Sequence, residues 1–290
     1  MKKILITGSN SYIGTSFEKY MSKWPEKYQI DTIDMKDKNW EEKSFSGYDV
    51  VFHVAGIAHS DDGKISAEKE KLYYSVNTDL TAKTAKKARN DGVKQFIFMS
   101  SCIVYGESAP IGKNKIITKE TVVSPANCYG DSKVQAENKI RELDNKDFKV
   151  CILRPPMIYG KNSKGNYPKL AKLARKTCIF PDIENQRSML YIENLCEFIR
   201  LMIDNKESGL YFPQNKEYVC TSDMVKLIAK TCGGGIYSTK IFNIFIKILS
   251  KKINLVNKVF GNFVYDKSLS KYKQDYWVVD FEESIRRTEK

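Results

Sequence analysis

Short, unbroken apolar runs alternate along the chain with longer stretches of helical period. Ile4-Leu5-Ile6 is the first run, and three consecutive apolar side chains fit a strand buried on both faces. A helix follows over 15–21. The pattern then repeats: strand 29–34, strand 49–54, helix 74–89 with Val76, Leu80 and Ala85 turned inward, and strand 95–101. A further helix opens at Tyr129 and continues through Val134, Ala136 and Ile140, before a strand over 148–154. Five strands alternating with helices predict an α/β fold built on a doubly wound parallel sheet.

The first strand–helix junction reads Thr7-Gly8-Ser9-Asn10-Ser11-Tyr12-Ile13-Gly14. Gly8 permits a tight turn, and Gly14 lets the helix lie close to the sheet. The unpaired N–H groups at the helix amino end favour a pyrophosphate. Gly8, Asn10, Ser11, Tyr12, Ile13 and Gly14 are therefore candidate dinucleotide contacts. Ser11 stands where such turns carry a middle glycine. Its side chain either narrows the approach of the pyrophosphate or donates its hydroxyl to it.

Asp34 ends the second strand, about twenty residues beyond the turn, where a carboxylate accepts from the adenosine ribose and repels a 2′-phosphate. This favours NAD, while Lys36 leaves NADP open. Ala55 and Gly56 close the third strand and allow a close backbone approach to the cofactor. His53, inside that strand, reads as a core histidine. His59 on the following loop carries no assigned chemistry. The fourth strand ends in Ser100-Ser101. A serine at that end of a central strand points into the ligand crevice of an open sheet.

Tyr129-Gly130-Asp131-Ser132-Lys133 supplies the reactive candidate. Tyr129 and Lys133 are four apart, one turn on the same helix face. A nearby ammonium favours phenolate and is expected to lower the tyrosine pKa. Such a phenol can pass a proton to or from an alcohol oxygen while a nicotinamide handles the hydride. Ser101 can donate to the same oxygen.

Composition narrows the field. The chain has 290 residues, 42% hydrophobic, with 17 Tyr and 14 Phe, which excludes a disordered chain. Its formal charge of +13 comes from lysines scattered over helical surfaces, and no aromatic–basic motif points to nucleic acid. Seven cysteines without a C-x-x-C pair read as free thiols in a reducing cytoplasm. With two histidines and no acid or thiol clustered with them, no metal site is expected. The amino terminus is too short in apolar residues for a signal peptide, and no apolar run spans a bilayer. Residues 236–275 hold eight lysines against two aspartates around an apolar stretch, 241–249. A basic helix with an apolar face suits an anionic membrane. The expectation taken here is instead that it packs over the substrate pocket while its lysines meet solvent or a diphosphate.

Taken in order, Thr7-Gly8…Gly14, Asp34, His53-Val54-Ala55-Gly56, Asn77, Ser100-Ser101…Val104-Tyr105-Gly106, Tyr129…Lys133 and Leu153-Arg154-Pro155…Tyr159-Gly160 resemble the extended short-chain dehydrogenase/reductases. The resemblance is to the nucleotide-sugar epimerases, dehydratases and ketoreductases, and it covers essentially the whole chain. It implies a Rossmann-type NAD-binding domain over 1–160, with 187–212 returning to it. A smaller, mostly C-terminal substrate lobe would comprise 161–186 and 213–290. It implies Ser101, Tyr129 and Lys133 as the catalytic triad, with Lys133 also holding the nicotinamide ribose. Asn77, Ser100 and Pro156 join the cofactor contacts. Asn166 and Arg187 become contacts to the nucleotide diphosphate, since a guanidinium fork fits phosphate oxygens. Relatives that eliminate water carry an Asp-Glu pair where this chain has Cys102-Ile103, and neither residue can act as acid and base. What the resemblance leaves is an NAD-dependent 4-epimerase on a UDP-hexose or UDP-N-acetylhexosamine, or an NAD(P)H-dependent 4-ketoreductase making a 6-deoxy sugar. A non-catalytic regulator is disfavoured by the intact triad. A cytoplasmic homodimer, paired through 74–89 and 132–143, is also implied.

Overall fold

The computed structural model describes residues 1–58, 65–250 and 252–290. His59 lies outside them. The chain divides into two compact units. The first comprises Met1–Gly106, Val122–Pro155 and Leu195–Pro213; the second comprises Glu107–Thr121, Pro156–Asn194 and Gln214–Lys290.

The first unit is a six-stranded parallel sheet with helices around it. Its strands β1 (Lys2–Thr7), β2 (Tyr28–Ile33), β3 (Val50–His53) and β4 (Gln95–Met99) are followed by Lys149–Leu153 and Gly209–Tyr211. Across the sheet the order is β2, β1, β3, β4, Lys149–Leu153, Gly209–Tyr211. Every residue of β3 and β4 is buried, which accounts for their unbroken apolar character. The sixth strand was not foreseen. It is a three-residue edge strand, too short to show a period, and it exists through pairing Gly209–Tyr211 with Cys151–Leu153. Helices α1 (Tyr12–Met21), α2 (Ala67–Tyr73), α3 (Leu80–Asn90) and α4 (Cys128–Arg141) belong to this unit. A π-helical stretch, Tyr74–Asp79, joins α2 to α3. The expected 74–89 helix is therefore longer, and it changes pitch at Asn77.

In register, Thr7 sits beside Ile33 and His53, His53 beside Phe98, and Met99 beside Leu153. All strands run the same way, so the segments after Thr7, Ile33, His53 and Met99 lie along one edge of the sheet. The chain turns in opposite directions on either side of β1 and β3, and open α/β sheets bind ligands at such a switch.

His53 is fully buried inside β3. Thr7 Oγ1 lies 2.7 Å from its Nδ1 and Thr81 Oγ1 lies 3.0 Å from its Nε2. Burial holds its pKa down to about 3, helped by the Lys133 charge, so it is a neutral, doubly bonded core residue.

The second unit is built from three short parallel pairs: Ile116–Ile117 with Val264–Tyr265, Met157–Tyr159 with Met189–Tyr191, and Ile179–Pro181 with Tyr237–Thr239. Helices Asn166–Ala174 and Phe281–Glu289 pack on Thr221–Thr231. Tyr159 Oη lies 2.6 Å from Ser284 Oγ, and Tyr167 donates to Glu289 at 2.8 Å. The helix Asn243–Leu249 contains no buried residue, and only Asn243, Ile246 and Leu249 on it are half-buried. Its side chains Ile244, Phe245 and Ile248 are exposed.

Candidate active site

The turn between β1 and α1 folds over the end of β2. Gly8 N and Ser9 N donate to Ile33 O at 2.9 and 3.2 Å. Gly8 has φ +98°, and a Cβ there would lie 2.9 Å from Ala55 N. The backbone of this turn and that of the β3 exit therefore touch, and a side chain would separate them. A Cβ on Gly14 already meets Ile6 and Val54 at 3.1 and 3.3 Å if added, so α1 lies directly on the sheet. Ser11 neither narrows the turn nor stands idle. It caps α1, its Oγ accepting from Gly14 N at 3.1 Å. That leaves the hydroxyl hydrogen to donate outward. The Tyr12 phenol is buried and has no hydrogen-bond partner among the described residues. Asn10 holds φ +62°, a conformation asparagine tolerates in turns. Asp34 is exposed at the end of β2, and its Oδ1 accepts from Lys36 N at 2.9 Å.

A dinucleotide fits this edge. The backbone is bare at Gly8, the first turn of α1 carries no acid, and a carboxylate stands exposed at the next strand end.

Asn77 is fully buried in the π-helical stretch. Its Oδ1 accepts from Ile57 N at 2.9 Å, and its Nδ2 donates to Ile57 O and Ser132 Oγ, both at 3.1 Å. Every polar atom is thereby used inside the protein. Asn77 pins the β3 exit to α4. A Cβ on Gly56 would lie 3.0 Å from Asn77 Oδ1 and 3.3 Å from Lys133 Nζ. Gly56, Asn77 and Lys133 thus converge on one point.

Ser100 and Ser101 separate in role. Ser100 is buried and its hydroxyl donates to Glu137 Oε1 at 2.6 Å. Ser101 caps a short 3₁₀ turn, Cys102–Tyr105, its Oγ accepting from Ile103 N at 3.3 Å, and its hydroxyl stands near enough to the Tyr129 phenol to favour the phenolate. Tyr129 is half-buried, with its ring 5.9 Å from that of Tyr73.

The expected lowering of the Tyr129 pKa is reversed in the resting chain. Burial pushes the phenol up to about 12, and the Ser101 hydroxyl opposes that rise. Lys133 shares the helix face, but its Nζ turns to the strand end. It donates to Met99 O at 3.0 Å and lies 4.7 Å from the centroid of the Phe98 ring. Burial pulls Lys133 down to about 8, with Glu137 opposing. The consequence for stability has a definite sign. From about pH 8 to the unfolded value near 10.5 the unfolded chain binds the extra proton, so stability rises with pH across that window. Below pH 8 the cost of burying the charge is fully present. Unfolding free energies of the ligand-free protein and its Lys133→Met variant should move in the native chain's favour between pH 8 and 10.5. A constant difference would show that Lys133 is not held in this environment.

Sequence reasoning missed Glu137. It is 1% exposed and accepts from Ser100, from Arg154 Nε and Nη2 at 2.9 and 2.5 Å, and from Arg141 Nη2 at 2.9 Å. Arg154 Nη1 donates to Tyr105 Oη at 2.6 Å. The signal available was Glu137 one turn beyond Lys133 on the same helix face.

The other named residues belong to the second unit. Pro156 is buried. Asn166 opens the helix Asn166–Ala174 after Gly165 at φ +95°. Arg187 is half-buried. Its backbone bridges to Val219 and Phe263, and its Nη1 donates to Gly261 O at 3.1 Å and Ser108 Oγ at 3.3 Å.

Comparison with known proteins agrees with this chemistry. UDP-glucose 4-epimerase of Vibrio cholerae is 30% identical over 295 residues, covering 93% of this chain and 89% of that one. An Escherichia coli O157:H7 protein, N-acetyl-alpha-D-glucosaminyl-diphospho-ditrans,octacis-undecaprenol 4-epimerase, is 31% identical over 226 residues, covering 71% of this chain and 64% of its own length. The solved structure of UDP-glucuronic acid 4-epimerase from Bacillus cereus in complex with NAD shares the fold, with a TM-score of 0.71 at 17% identity, over 98% of this chain and 96% of that one. The sequence profile of one family matches residues 4–219, the span that holds the glycine turn, Asp34, Ser101, Tyr129 and Lys133. The chain belongs to the NAD dependent epimerase/dehydratase family.

Proposed function

We propose that this protein is an NAD-dependent 4-epimerase acting on a UDP-linked hexose or N-acetylhexosamine for surface polysaccharide synthesis. The observation that carries the reading is the Ser101–Tyr129 hydroxyl pair at the sheet edge, next to the convergence of Gly56, Asn77 and Lys133. The β1–α1 turn would hold the pyrophosphate, Asp34 the adenosine ribose, and Lys133 the nicotinamide ribose. When bound, the oxidised nicotinamide supplies a hydride acceptor and a positive charge. Tyr129 Oη takes the proton of the sugar 4-hydroxyl as the alcohol becomes a ketone, and returns it after the ketone has turned over. Ser101 Oγ donates to the reacting oxygen through both halves. The resting phenol keeps its proton at neutral pH, so a cation must stand beside Tyr129 before it can act as a base. Cys102 and Ile103 supply no acid–base pair for elimination of water. Arg187 would meet the diphosphate together with Asn166. We place the enzyme in the cytoplasm, where its seven cysteines stay reduced. We also place it in a homodimer paired through α3 and α4, which sedimentation velocity at assay concentration would decide.

The competing chemistry is the return half alone, a 4-ketoreductase. The two differ in cofactor balance. An epimerase shows interconversion of the 4-epimers, read by mass spectrometry and chromatography, with no net change in nicotinamide absorbance. Stoichiometric loss of NADH on a UDP-4-keto-sugar, without epimer interconversion, would replace the epimerase reading with the reductase. A second reading of the carrier keeps the reaction and exchanges the nucleotide for a polyprenyl diphosphate. The E. coli relative and the exposed apolar helix Asn243–Leu249 favour it.

A further inference from the structure

We infer that the surface around the helix Asn243–Leu249 docks on an anionic lipid bilayer. The helix is inverted. Ile244, Phe245 and Ile248 are 76%, 62% and 56% exposed, and Ile241 just before it is 82% exposed. Positions 241, 244, 245 and 248 follow the i, i+3, i+4, i+7 spacing and so share one face. A helix on a globular protein turns that face to its core; here it is turned to the outside. Phe242, Ile253 and Tyr237 add exposed apolar surface close to it in the chain. Lys240, Lys247 and Lys252 are exposed among these residues. From 224 to 265 the chain has seven lysines and no acidic residue.

Clustered apolar surface of this kind marks an interaction site, and the charge decides the occupant. A second copy bound with two-fold symmetry would set the patch against itself, lysine facing lysine, and Asp182 beside the helix start is already paired with Lys226. An anionic bilayer satisfies both features: the isoleucines and phenylalanines enter the acyl boundary while the lysines meet headgroup phosphates. The association is superficial, since among the described residues no helix is long and apolar enough to cross a membrane.

The patch leads straight to the arginine assigned to the diphosphate. Asn257 Nδ2 donates to Ser250 O at 2.8 Å, tying the helix Asn254–Phe260 to the end of the exposed one. That second helix ends at Gly261, whose carbonyl accepts from Arg187. Docking would thus set the diphosphate contact near a membrane, where a lipid-carried substrate is found. That consequence rests on the polyprenyl diphosphate reading given above; docking itself does not.

The test is cosedimentation of the full chain with vesicles of phosphatidylglycerol and phosphatidylcholine, against phosphatidylcholine alone, in about 0.1 M salt, where surface charges still act over roughly 10 Å. Binding to the anionic vesicles is expected. It should weaken at least tenfold in the variant Ile244→Ser/Phe245→Ser/Ile248→Ser and in Lys240→Gln/Lys247→Gln/Lys252→Gln. Thermal unfolding should be unchanged in both, because the replaced side chains are exposed. Absence of binding to anionic vesicles, or equal binding by the apolar triple variant, overturns the inference. So does a lipid-free dimer that the same variant abolishes, which would give the surface to a second copy. Turnover of a water-soluble nucleotide sugar is measured without vesicles, so loss of docking and loss of the reaction are read separately.

Discussion

Replacing Tyr129 by Phe should lower turnover by about 10²- to 10⁴-fold, the range that a positioned proton donor and acceptor contributes. The ring keeps its place in this variant. It still packs 5.9 Å from the Tyr73 ring, and what is lost is the phenol oxygen and its interaction with the Ser101 hydroxyl. Thermal stability should therefore change little while epimer interconversion collapses. The loss should fall mainly on kcat, because the phenol's task arises as the 4-hydroxyl ionises. Turnover within threefold of the native enzyme, on a substrate the native enzyme converts, would remove Tyr129 from the chemistry.

Arg154→Met should cost about 3–5 kcal/mol of stability, the usual penalty for removing one partner of a buried ion pair. Glu137 and Arg154 are 1% and 3% exposed, and Arg154 Nε and Nη2 both donate to the one carboxylate. Without Arg154 the carboxylate keeps Ser100 and the partly exposed Arg141, while the buried Lys133, one turn away, acts on it only at longer range because its Nζ is turned to Met99 O. Domains are stable by about 5–15 kcal/mol in total, so the loss would be a large share. Urea unfolding at constant pH measures it. Pairing the change with Glu137→Leu should recover most of the loss, because the penalty is chiefly that of a buried, uncompensated charge. A loss below about 1 kcal/mol in the single variant would mean that the pair does not bind α4 to the strand Lys149–Leu153.

Tyr129 and Glu137 each stand four residues from Lys133 along the chain, yet they were unequally visible in the sequence. Tyr129 and Lys133 share a helix face by spacing alone. The direction of each polar end was not legible. Lys133 Nζ turns to Met99 O, and burial, a property of the packed state, moves the Tyr129 pKa upward. Ser100 and Ser101 are adjacent hydroxyls with equal claims on paper. Alternation along extended backbone sends one inward to Glu137 and leaves the other with Tyr129. Ser11 looked like an obstruction and is a helix cap. Asn77 is a fastener between two elements.

By itself the sequence determined the alternation of buried strands and helices, the glycine turn with its acid at the next strand end, and the order of the site residues. These follow from local physics: apolar runs, positive-φ glycines and helical spacing act within a few residues. Tertiary structure alone decided what depends on distant partners. The edge strand Gly209–Tyr211 exists by pairing with residues nearly sixty positions earlier. The Glu137–Arg154 pair joins a helix to a strand. The apolar residues 241–249 carry a core-like pattern, and only packing, which reports whether anything lies opposite them, turned that face outward.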